Sequence, residues 1–63
     1  MKDIEQNYTR TFSTSAGAAV LGHLRKITIE RVLGPGVSDA ELRSLEAQRA
    51  LVHQIETMIE RGK

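Results

Sequence analysis

The Gly34-Pro35-Gly36 triplet divides this 63-residue chain near its middle and limits what each half can become. Glycine takes the left-handed conformation that ends helices, and proline cannot continue one. Just beyond it, Ser38-Asp39-Ala40-Glu41 has the form of a capping box. In that motif the Ser38 hydroxyl accepts from the Glu41 amide, and the Glu41 carboxylate reaches back to the Ser38 amide. Val37 and Leu42 stand where a hydrophobic staple places its pair, and Asp39 and Glu41 suit the positive end of the helix dipole. A helix is therefore expected over 38–61, with Gly62 as its stop. Leu42, Leu45, Val52, Ile55 and Ile59 recur along it at helical spacing. Glu46 and Arg49 form an i,i+3 pair on it.

Upstream, Ser13-Thr14-Ser15 offers a choice of N-caps for a helix over 14–33. Its apolar stripe would be Val20, Leu21, Leu24, Ile27, Thr28 and Val32. Gly17 and Gly22 each weaken it by about 1 kcal/mol relative to alanine. A glycine also permits close helix approach, so Gly22 is expected at a tight crossing. Residues 1–12 form a leading segment with Ile4 and Tyr8 one turn apart, and no strand pattern of useful length occurs. The expected fold is all-α, a single domain over 1–63. It is an antiparallel helical hairpin of 14–33 and 38–61 joined by a turn at 34–37, with the short N-terminal helical segment across one end.

Such a chain is short of core. One of its size buries only about 60% of the surface exposed by its unfolded form. Forty per cent of its residues are hydrophobic, the aromatics are one Tyr and one Phe, and there is no cysteine to cross-link it. Oligomerisation or a larger partner is the remaining route to added stability. The second helix offers a place for it, because Ala47, Ala50, Leu51 and Met58 form an apolar set about a quarter turn from the main stripe. A single partner helix cannot cover both sets, so the second reads either as a wide core stripe or as a contact surface. Arg49, on or beside the main stripe, reads either as a snorkelling side chain paired with Glu46 or as an anchor into a partner's carboxylates or carbonyls. Ala47, Arg49, Leu51 and Met58 are the expected partner-interface residues.

Chemistry finds little support. His23 and His53 lack a third ligand at helical spacing, so neither a metal nor another cofactor is expected. Ser13-Thr14-Ser15 has no base beside it, and Glu56 and Glu60, one turn apart, read as a solvated helix face. Gly34-Pro35-Gly36 lacks the lysine and preceding strand of a phosphate loop. No catalytic residue is assigned, and the chain is not expected to be an enzyme. Net charge is +1, with +2 over residues 1–37 and −1 over 38–63. A helix-turn-helix reader is disfavoured because Asp39 and Glu41 would enter the groove first. Arg25, Lys26 and Arg31 are a modest basic cluster, so nucleic acid is not expected as the main partner. The polar start Met1-Lys2-Asp3-Ile4-Glu5 and the absence of an apolar run near 20 residues lead to the expectation of a chain with no membrane segment, made in the cytoplasm.

Tyr8-Thr9-Arg10-Thr11-Phe12-Ser13-Thr14, then Gly17 and Val20-Leu21, and later Glu46-Ala47-Gln48-Arg49 before an apolar helix end form a recognisable series. It resembles the small phage domain family typified by a Bordetella podophage minor protein from the head–tail morphogenesis region. The likeness covers residue 8 to about residue 59 and departs at Ala47, where the family pattern has glycine. It implies a small helical virion protein without enzymatic activity. Its implied partners are phage structural proteins at the portal–tail vertex (portal or adaptor) or the internal ejection proteins, bound in multiple copies. The alternative is a soluble assembly chaperone or regulator absent from the mature particle.

Overall fold

The computed structural model describes residues 2–63; Met1, the first residue of the expected leading segment, lies outside them. Among the described residues the chain is all-α, with α1 over Lys2–Ser13, α2 over Ser15–Ile27 and α3 over Asp39–Arg61. Asp3 and Glu5 in its first turn and Arg10 in its last complement the dipole of α1. The leading segment is thus a full helix of 12 residues.

One threonine joins α1 to α2. Thr14 is extended (φ −71°, ψ 157°), and its hydroxyl accepts from the Gly17 amide at 2.9 Å. The same hydroxyl donates to the Thr11 carbonyl at 3.0 Å, so a single side chain satisfies the end of one helix and the start of the next. The corner is tight. A Cβ on Gly17 would run into the Thr11 carbonyl oxygen, while one on Gly22 would meet nothing within 4 Å. The close approach expected at Gly22 therefore occurs at Gly17, because the contact lies at the helix corner and not along a helix crossing.

The long α3 starts where the sequence places it. Ser38 is the N-cap and accepts from the Glu41 amide at 3.1 Å. The Glu41 carboxylate meets the Ser38 hydroxyl at 3.3 Å, which differs from the backbone contact of a complete capping box. Gly36, at φ 88° after Pro35, takes the conformation a type II turn requires of its third residue.

The antiparallel helix pair is α1 with the C-terminal half of α3, a correction to the expected pairing of 14–33 with 38–61. Thr9 Oγ1 donates to the Ile59 carbonyl at 2.6 Å, and Arg61 approaches Glu5 at 3.9 Å. Gly62 makes this possible, since a Cβ there would strike the Glu5 carbonyl and the Thr9 hydroxyl. Its φ of −83° is ordinary, so closeness and not left-handedness requires the glycine. Helix α2 ends at Ile27, six residues short of the expected boundary, and 28–38 is a connecting segment. The β-branched run Ile27-Thr28-Ile29 is a weak helix former, and the Thr28 hydroxyl donates to the Leu24 carbonyl at 2.6 Å.

The assembly is elongated and thin, 42 × 24 × 11 Å over Cα atoms. Leu45 and Val52, each 3% exposed, are the buried hydrophobic residues, joined by Thr28. Gly22→Ala is expected to stabilise the chain by about 0.5–1 kcal/mol. Gly17→Ala should destabilise it despite the same gain in helix propensity. Urea melts followed by circular dichroism check both, and equal shifts in one direction would contradict the corner geometry.

Candidate interaction surface

Helical geometry puts Ala47, Leu51 and Met58 on one side of α3 and Arg49 roughly 160° round from Leu51. The four expected interface residues therefore do not form one patch. Ala47 is exposed, Leu51 is 59% exposed and Met58 is half-buried. Ala40, Ser44 and Gln54 share their side of the helix and are also exposed. Together they make a stripe running the length of α3, away from the buried line of Leu45 and Val52.

Arg49 faces inward and is used within the chain. Its Nε donates to the Thr28 carbonyl at 2.9 Å and a terminal nitrogen donates to the Arg31 carbonyl at 2.6 Å. The other terminal nitrogen binds Glu46 Oε1 at 3.2 Å. A planar guanidinium can hold two carbonyls at once, and both of these belong to the residues that follow α2. The carbonyl acceptors sought in a partner are thus supplied by the connecting segment of the same chain.

Beside it, Arg25 forms an ion pair with Glu56, whose other oxygen lies 3.6 Å from His53 Nδ1. Glu56 is therefore not part of a solvated face; half-buried, it ties α2 to α3. The pairing also removes Arg25 from the free basic cluster with Lys26 and Arg31. No group of three or more His, Cys, Asp or Glu side chains suited to a metal occurs among the described residues. No helix among them is long and apolar enough to cross a membrane.

Several apolar residues expected in the core lie at the surface instead. Val20, Ile27 and Leu42 are exposed, and Val32 is 89% exposed on the connecting segment. Of the expected α2 stripe, Leu21 and Leu24 are half-buried and Thr28 is buried. Leu21, Leu24 and Thr28 repeat at the three- and four-residue spacing shared with Gly17, which is the narrower face that packs.

The series from Tyr8 to Leu21 thereby acquires a physical meaning. Tyr8 and Phe12 stack with ring centroids 6.4 Å apart, Thr14 caps both helices, and Gly17 lets the corner close. A family model described as Bbp19-like phage protein matches residues 8–60, spanning this corner and nearly all of α3. The chain belongs to that family. No curated protein and no solved structure matches it. The matched region begins at the aromatic that opens the corner and takes in both ends of the Arg49 tie.

Replacing Arg49 by methionine keeps much of its apolar stem and leaves two carbonyls without their donors. A loss of about 1.5–3 kcal/mol is expected in urea unfolding. Glu46→Gln should cost far less, since that pair is largely solvated. Equal losses would refute the carbonyl tie.

Proposed function

We propose that this phage protein is a non-enzymatic structural component of the virion. It binds the portal–tail or internal ejection-protein assembly in multiple copies through the Ala47–Leu51–Met58 side of α3. The observation that carries the reading is the mismatch between a thin fold with two buried hydrophobic side chains and the outer side of its longest helix, where Ala47 and Leu51 are exposed and Met58 is half-buried. Burying a side chain the size of Leu51 contributes about 1.5–3 kcal/mol, a gain that the isolated chain leaves unused. Membership of a phage protein family supplies the setting in which such small parts are ordered by larger assemblies.

The polar side chains that a catalytic reading would call on are engaged within the chain. His53, Glu56, Thr57, Glu60 and Arg61 line a shallow depression on α3, but Glu56 is engaged by Arg25 and Glu60 by Lys63. Ser13 donates to the Thr9 carbonyl and Thr14 caps the corner, so neither hydroxyl is offered to a substrate.

Mass spectrometry of purified particles is expected to find the protein in them. Leu51→Glu combined with Met58→Glu should remove it from particles while leaving its helicity intact by circular dichroism. Undiminished incorporation would refute this surface. Absence of the unaltered protein from particles would instead make it an assembly chaperone.

A further inference from the structure

We infer that the outer stripe of α3 pairs antiparallel with the same stripe of a second copy of this chain. The inference rests on the reading of that side as an interface and names its occupant. Ala40, Ser44, Ala47, Leu51, Gln54 and Met58 follow alternating steps of four and three residues, the spacing of a helix–helix seam. All are exposed except Met58, which is half-buried, so the seam is open along its length.

Antiparallel pairing makes this stripe complementary to itself. When residue numbers facing each other sum to 98, Leu51 of one copy meets Ala47 of the other and Met58 meets Ala40. Each layer then sets a large side chain against a small one, the arrangement that fills space without voids. Ser44 falls opposite Gln54, where hydroxyl and amide can hydrogen-bond. Along one flank, two residues off the facing register, Asp39 of one copy comes near Arg61 of the other. Arg61 is free to serve, being 65% exposed and only loosely held by Glu5 at 3.9 Å. Antiparallel helix dipoles add to the attraction.

Parallel pairing in register fails on the same residues. It sets Arg43 against Arg43, Arg61 against Arg61 and Asp39 against Asp39. It also leaves the Ala40 and Ala47 layers empty beside bulky Leu51 and Met58 layers. The two-fold antiparallel arrangement is closed, because one patch serves both copies and nothing is left to extend into a filament.

The cysteine-free sequence permits a direct test. Chains carrying Ala47→Cys and Leu51→Cys are mixed and oxidised mildly, and Ser44→Cys is oxidised alone. The expected result is rapid mixed disulfide formation from the first pair and little from Ser44→Cys, because bridging needs Cα atoms within about 7 Å. Sedimentation equilibrium of the unaltered chain should show a dimer, and Leu51→Glu should shift it to monomer at unchanged helicity. Fastest cross-linking of Ser44→Cys with itself would overturn the antiparallel register. A monomer at all concentrations would overturn the pairing. If Leu51→Glu then still removed the protein from particles, the interface reading would stand with another occupant.

Discussion

The Arg49 guanidinium is the contact on which the middle of this structure depends. It reaches from α3 to the Thr28 and Arg31 carbonyls and so fixes where α2 stops and how the connecting segment returns. Thr28, whose carbonyl Arg49 holds, is buried along with Leu45 and Val52. Hydrogen bonds to a charged donor are among the stronger ones available, and here they replace apolar burial that the chain lacks residues to provide. The Arg25–Glu56 pair one step along makes a second polar tie between the same two helices. At the other end, the Thr9 hydroxyl and the Gly62 close approach hold α1. Backbone carbonyls are the acceptors in most of these joints, which explains how an assembly with so small a core keeps its shape.

Thinness has a consequence for function. Three helices that touch one another with only Leu45 and Val52 as buried apolar side chains leave most of their surfaces bare. Exposed apolar side chains occur on all three helices: Ile4 on α1, Val20 and Ile27 on α2, and Leu42 and Leu51 on α3. In the proposed reading, the polar ties set the shape of the part and the open side of α3 is where it joins others. Family membership agrees with a role inside a phage assembly without specifying the joint.

Much of this was legible in the chain itself, for reasons that differ by residue. Ser38 and the α3 start follow from contacts within four residues, and local rules suffice there. The second apolar stripe was equally visible, since helical geometry alone places Ala47, Leu51 and Met58 together. The end of α2 was not, because Ile27, Thr28 and Val32 continue the helical period while the group that stops it lies on α3, 18–21 residues away. Gly17 and Gly22 look alike in sequence, and only the Thr14 corner shows which one needs to lack a side chain. Arg49 belonged to the right helix and bound the right kind of acceptor, but the acceptors were its own chain's. Glu56 was misread for a similar reason: its partner is 31 residues distant.

In the proposed reading this fold is completed by association through α3. Its most direct test is the dependence of thermal unfolding on chain concentration, since association of folded chains raises the midpoint by mass action. The midpoint is expected to climb steadily with concentration, and that of a Leu51→Glu chain to be lower and flat. A sharp, high midpoint that is the same at every concentration for both chains would contradict it.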